Sequence, residues 1–176
     1  DWYNIGDSSI YGYIINDYMA CGVYGTAAII KYYEGDTYSY SDIVDACKTI
    51  ARLNGYASQD EESGEWNYYI ALGSMAPYVQ LCINAFSLIK TASSSLLSWS
   101  TGTSEISNDR PVLLNIWYSE QYDDHTVTAY AWTRFSVLSG GLTEIIRFFK
   151  VKDGYAAGNR YVNYETVTGS YITKVY

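Results

Sequence analysis

The chain holds one imidazole, His125, and three thiols, Cys21, Cys47 and Cys82, so cysteine chemistry that needs an imidazole base must pass through His125. A thiol becomes a useful nucleophile near neutral pH when a neighbour takes its proton. Imidazole, with an ordinary pKa of about 6.5, suits that exchange. Cys21 stands in Tyr18-Met19-Ala20-Cys21-Gly22-Val23-Tyr24-Gly25. Val23, Ala27 and Ile30 follow at helical spacing, so Cys21 opens a helix. The unpaired N–H groups and partial positive charge of that end favour thiolate. Gly22 leaves room for a substrate to approach. Cys47 and Cys82 fit buried thiols, or a pair that leaves Cys21 free if the surroundings are oxidising. No C-x-x-C spacing occurs, so a structural zinc site finds little support.

His125 begins a run rich in β-branched and aromatic residues, Asp123-Asp124-His125-Thr126-Val127-Thr128-Ala129-Tyr130, after a short polar stretch. A strand end holds a ring firmly and leaves its nitrogens open to a cleft, and the adjacent carboxylates favour imidazolium. Downstream, Phe148-Phe149-Lys150-Val151-Lys152-Asp153-Gly154-Tyr155 ends a strand on an Asp-Gly turn. Asp153 there can accept the second imidazole N–H and set the tautomer, or serve only as a turn residue.

A helix from Cys21 to about Tyr33 is stopped by Glu34-Gly35-Asp36. A second helix is expected after Ser41 as N-cap, with Asp42 and Asp45 in its first turn. Ile43, Val44, Cys47, Ile50, Ala51 and Leu53 form its buried face, and Gly55 closes it. Residues 56–66 read as an acidic surface loop, and 68–98 fit both helical and strand periods, so that segment stays open. After Asp109-Arg110-Pro111 the composition turns to strands at 112–118, 125–135, 143–152, 160–165 and 170–176. Helices first and strands afterwards give an α+β fold, with N-terminal helices packed against a C-terminal antiparallel sheet. No repeat or linker interrupts it, so one domain spans residues 1–176.

Three features occur in order: Cys-Gly opening a helix, Asp-His-Thr-Val-Thr-Ala-Tyr opening a strand, and an Asp-Gly-aromatic turn one strand later. Over roughly residues 14–165 this resembles the papain-like cysteine peptidases, and within them the bacterial double-glycine (bacteriocin-processing) and streptopain-like branches. Asp109-Arg110-Pro111-Val112-Leu113-Leu114 is similar to the strand that precedes the histidine in that family. The resemblance implies a papain-like fold and hydrolysis of peptide bonds through a thioester acyl-enzyme. It makes Cys21 the nucleophile, His125 the base and acid, and Asp153 the orienting group, with no cofactor. It also implies an oxyanion hole built from the Cys21 N–H and a side-chain amide about six residues upstream. Ile15 holds that position here, and Asn16 is the nearest amide. Ala20 and Val23 also depart from the double-glycine branch, where Asp and Pro are common. Two other readings share these residues: a catalytically silent papain-like module that binds a peptide or protein, and a Cys-His-Asp amidase or acyltransferase.

Composition narrows the partners. With 48% hydrophobic and 17% charged residues the chain is an ordered globule. A net charge of −8 argues against nucleic acid and anionic membrane surfaces, and the polypeptide substrate is what the family resemblance implies. No apolar run approaches the ~20 residues of a membrane span. The 21 tyrosines beside few basic residues suit a secreted or cell-surface bacterial protein. The opening Asp1-Trp2-Tyr3 fits a chain freed from a signal or propeptide, or a domain of a longer protein.

Overall fold

The computed structural model describes residues 1–176. Four α-helices are formed by Cys21–Glu34 (α1), Tyr40–Leu53 (α2), Met75–Ala85 (α3) and Trp99–Ser107 (α4). The strands are Trp2–Asn4 (β1), Ser58–Gln59 (β2), Trp66–Asn67 (β3), Ala92–Leu96 (β4), Val112–Ser119 (β5), Asp123–Ser139 (β6), Leu142–Lys152 (β7), Arg160–Asn163 (β8) and Tyr171–Val175 (β9). The chain is thus α+β, as its composition along the sequence predicts. No helix is long and apolar enough to cross a membrane.

The main sheet is antiparallel in the order β4-β9-β5-β6-β7-β8, and β1 pairs with β6 beyond the stretch that pairs with β5. Alternation along the central strands splits the core in two. Leu113 of β5 faces α1, α2 and α3, together with Tyr130 and Ala131 of β6. Val112, Leu114 and Ile116 face the opposite side with Ile106 of α4, Phe149 and Val151. The register of β6 against β7 slips between Ala129 and Ala131, and Val127 and Ala129 lie on the α4 side while Tyr130 lies on the α1 side.

The start of α2 corrects the expected cap. Ser39, not Ser41, precedes the helix in extended conformation and its hydroxyl accepts from the Asp42 N–H at 3.1 Å. The helix begins earlier because Tyr40, its first residue, is buried and donates through its hydroxyl to the Tyr24 carbonyl at 2.8 Å. The expected 56–66 loop carries the short β2–β3 ladder, closed by an Asp60 carboxylate that accepts from the N–H groups of Glu62 and Ser63. The ambiguous 68–98 segment holds a turn of 3₁₀-helix at Leu72–Ser74, then α3 and β4. The strand carrying His125 runs on to Ser139, four residues past its expected end.

Candidate active site

Cys21 is the first residue of α1, and the chain enters it through a left-handed turn at Met19 (φ 55°) and the buried Ala20. His125 lies near the start of β6, opposite Ile116 of β5. Beside it the β5–β6 register breaks between Ile116 and Ser119, and two non-glycine residues, Tyr118 (φ 48°) and Asp123 (φ 54°), adopt left-handed backbone. Such backbone is costly away from glycine, so three such residues around one thiol and one imidazole mark a locally constrained region.

Cys21 and His125 line the same depression, of ≈ 10 Å³, with Thr126, Ile116, Asp124, Tyr69, Ile70 and Leu72. That is room for about one water molecule. By strand alternation Thr126 and Thr128 turn toward α1, where they approach Gly25, while Val127 and Ala129 turn to the α4 side. His125 belongs to the second set. Its ring reaches the end of α1 because it stands at the open end of the strand, where the pairing is irregular. No hydrogen bond joins the thiol to the imidazole, and in enzymes catalytic hydrogen bonds often tighten only when substrate binds.

The imidazole is held on its other side. His125 Nε2 lies 2.6 Å from the main-chain carbonyl oxygen of Asp153. A carbonyl oxygen only accepts, so Nε2 carries the proton and the neutral ring keeps its lone pair on Nδ1. Tyr155 stacks on the ring at 4.6 Å between centroids and 7° between planes, and Tyr122 lies at 5.3 Å and 23°. The expected role of the Asp153 carboxylate is therefore corrected. Buried at the end of β7, it accepts from the Tyr122 hydroxyl (3.1 Å) and the Tyr155 N–H (3.0 Å), with Arg160 Nε 3.7 Å away. It fixes the turn that aims the carbonyl, and it does not touch the ring. Asp153→Asn keeps an oxygen for the Tyr155 N–H, so under the peptidase reading proposed below it should retain kcat/KM within about tenfold. A carboxylate bonded to the imidazole would make the same change cost about 10⁴-fold. Asp153→Ala, which strips both bonds, should fall well below Asp153→Asn in activity and in melting temperature.

Electrostatics also differ from the sequence expectation. Burial pushes the half-buried Cys21 thiol above its ordinary value of 9.0; the N–H groups of Thr126, Gly22 and Cys21 and the Thr126 hydroxyl pull the other way but do not prevail. Burial likewise lowers His125 from 6.5, against the opposing pull of the Asp153 carbonyl and carboxylate. Near pH 7 the resting groups are therefore thiol and neutral imidazole, not thiolate and imidazolium. The helix end acts on the sulfur as foreseen, but desolvation is the larger effect.

Two further expectations change. Gly22 does not open a path for substrate. It is buried, and a Cβ there would lie 3.2 Å from Met75 Sδ and 3.6 Å from Ile70 Cβ, so its small size lets α1 pack on the 70–75 segment. Asn16 is not brought to the nucleophile. It is exposed and lines a separate cavity with Tyr11, Tyr24 and Lys48. Ile15 N–H donates to the Gly154 carbonyl at 2.9 Å, and its apolar side chain packs on that turn, so neither residue supplies an amide to the depression. Donors beside the sulfur come from the main chain of residues 21, 22 and 126 and from the Thr126 hydroxyl. Thr126, Tyr122 and Tyr155 were not singled out from the sequence. Their nearness in the chain to His125 and Asp153 is the only signal that pointed to them. No cluster of three or more His, Cys, Asp or Glu side chains is placed to hold a metal ion. Compared with known proteins, the chain matches no family model and has no significant sequence similarity to a curated protein.

Proposed function

We propose that this chain is a papain-like cysteine peptidase that hydrolyses polypeptides at or outside the bacterial cell surface, with Cys21 as nucleophile and His125 as the proton carrier. The observation that carries the reading is the shared depression: a thiol at a helix start and the chain's single imidazole line it together, and the Asp153 carbonyl takes up Nε2, which leaves Nδ1 unprotonated. Support also comes from the order of elements, a helix led by the thiol packed on an antiparallel sheet whose central strand bears the histidine.

In this mechanism Nδ1 takes the thiol proton as the sulfur attacks the substrate carbonyl carbon. The developing oxyanion faces main-chain N–H donors beside Cys21, an arrangement worth about 3 kcal/mol per donor in water-excluded sites. The imidazolium then gives its proton to the leaving amine, and a thioester remains on Cys21. Water, deprotonated by His125, hydrolyses the thioester and restores the thiol. Asp153 acts through its carbonyl, which keeps the Nε2 proton in place throughout.

The pH dependence follows from a neutral resting pair. Peptide hydrolysis should rise with pH through a pKa below 6.5, where imidazolium loses its proton and can act as base. It should level off and fall above 9.0, where the thiol proton that imidazole must pass to the amine is gone. Alkylation of Cys21 by iodoacetamide should climb only through that upper pKa. A maximal alkylation rate already at about pH 5 would show a preformed thiolate–imidazolium pair and overturn the neutral one.

The test of the function is turnover of a peptide library together with labelling by an epoxide thiol reagent. Cleavage blocked by stoichiometric label on Cys21 supports the peptidase. The absence of a side-chain amide from the depression favours the silent binding module as the second reading. Neither cleavage nor label at Cys21 would assign the chain to it. Label without peptide cleavage, but with release from small amides, would make it an amidase or acyltransferase.

A further inference from the structure

Lys152, at the end of β7, is the one lysine or arginine buried in the fold, at 6% exposed, and the chemistry above makes no use of it. The carboxylates around it are engaged elsewhere: Asp7 pairs with Lys150 at 2.6 Å, and Asp153 lies 3.7 Å from Arg160. Lys152 Nζ instead donates to the side-chain oxygen Oδ1 of Asn159 at 2.6 Å and to the Ala157 carbonyl at 3.4 Å. A carbonyl carbon lies about 1.2 Å from its oxygen, so the amine is at most about 3.8 Å from Asn159 Cγ, close to the ~3–3.5 Å of atoms poised to react. Two more groups grip the same carboxamide. The Tyr130 hydroxyl donates to Oδ1 at 2.7 Å, and Asn159 Nδ2 donates to Asp7 Oδ2 at 3.0 Å. Burial lowers Lys152 from its ordinary value, against the pull of Asp7 and with help from Lys150, and burial pushes the Tyr130 phenol up. The amine is thus drawn toward its free, nucleophilic form, while the phenol keeps the proton it offers to Oδ1.

We propose that Lys152 and Asn159 join in an intramolecular isopeptide bond that the folded chain makes by itself. Lys152 first gives its extra proton to water. The free amine then attacks Asn159 Cγ and forms the new N–C bond, while the C=O electron pair moves onto Oδ1, where the Tyr130 hydroxyl stabilises the charge. Asp7 takes the proton that the attacking nitrogen sheds and passes it to Nδ2, the atom it already contacts. The Cγ–Nδ2 bond breaks, the carbonyl reforms, and ammonia leaves and takes up a proton from water. The step needs no oxidant, reductant or second substrate. The ring so formed encloses residues 153–158. These include the Asp153 carbonyl bonded to His125 Nε2 and the Tyr155 ring stacked on the imidazole, so the cross-link fastens the turn that holds His125.

The experiment is intact mass and peptide mapping of the purified, folded full chain after overnight incubation at neutral pH. The expected mass is about 17 Da below that of the sequence, the loss of one ammonia. Trypsin applied to the denatured chain should cut after Lys150 and Arg160 but not after Lys152, and the 151–160 peptide should carry the whole deficit. Its tandem mass spectrum should lack backbone fragments from between the linked residues. Lys152→Arg keeps the positive charge and removes the nucleophile, so it should show the full mass. A folded wild-type chain at the full mass would overturn the proposal. So would a deficit that persists in Lys152→Arg, or one that leaves Lys152 open to trypsin, since Asn159 would then have lost ammonia to its own backbone. None of these readouts involves turnover, so the result stands apart from the peptidase reading.

Discussion

Replacing His125 with alanine is expected to lower kcat/KM for peptide hydrolysis by at least about 10³-fold. The size of the effect follows from the composition: no second imidazole exists to take over proton transfer. The other titratable groups at the depression are Asp124 and Tyr69. A carboxylate is a weak base for a thiol raised above 9.0, and burial pushes the Tyr69 phenol up, so it keeps its proton. Cys21→Ala should abolish turnover to the same level, and the double variant should be no worse than either single one, because nucleophile and base act as a unit. His125 is buried against Tyr122 and Tyr155, so its truncation also leaves a cavity. Iodoacetamide labelling of Cys21 separates the two effects. A folded His125→Ala protein should still be labelled at high pH while cleaving nothing. Retention of more than about a tenth of the wild-type kcat/KM would remove His125 from the mechanism, since general-base catalysis is worth at least about 10²-fold.

The largest expected effect on stability is at Gly154. Its φ of +78° lies in the left-handed region, where any side chain costs about 1–2 kcal/mol. A Cβ there would also stand 2.5 Å from Ile15 Cγ1 and 2.9 Å from Tyr13 Cε2. Neither neighbour can yield easily. Tyr13 is fully buried, and its hydroxyl contacts Thr128 Oγ1 at 3.2 Å and donates to the Lys152 carbonyl at 3.0 Å. The main chain of Ile15 is tied to Gly154 itself. Overpacking of this kind adds about 1–3 kcal/mol, so Gly154→Ala should lose about 2–5 kcal/mol in all and melt roughly 5–15 °C lower. The same strain moves the preceding carbonyl, that of Asp153, away from Nε2 of His125, so kcat/KM should fall together with the melting temperature. Thermal unfolding followed beside peptide turnover checks both. A melting temperature within about 2 °C of wild type would mean that the turn relaxes freely and does not brace the imidazole.

How far the sequence carries is clearest at elements whose signal is local. The helix led by Cys21, the change to strands after Pro111 and the Asp-Gly turn at 153–154 all stand where spacing and composition put them. Residue spacing alone therefore sufficed to place the thiol on a helix start and the imidazole on a strand. Elements held by distant partners were not legible. The three residues of β1 are a strand only because Thr133, Trp132 and Ala131 lie opposite them. The Ser- and Thr-rich α4 has little intrinsic helical preference; it is capped by Ser98, whose hydroxyl accepts from the Thr101 N–H at 3.1 Å, and packs through Trp99, Gly102 and Ile106, the first two against Phe149. Between two serines flanking Tyr40, the burial of that tyrosine chose the cap.

The site divides in the same way. Which residues carry a thiol, an imidazole and a carboxylate is a matter of sequence. Which oxygen of Asp153 meets His125, whether Asn16 reaches the nucleophile, and which charge state the pair adopts were decided by tertiary structure. These depend on contacts between separate segments of the chain, such as His125 with Asp153, Cys21 with Thr126, or Tyr13 with Lys152. The desolvation that leaves Cys21 a thiol and His125 uncharged exists only once those segments have closed over them, because water leaves a side chain only when the rest of the chain takes its place.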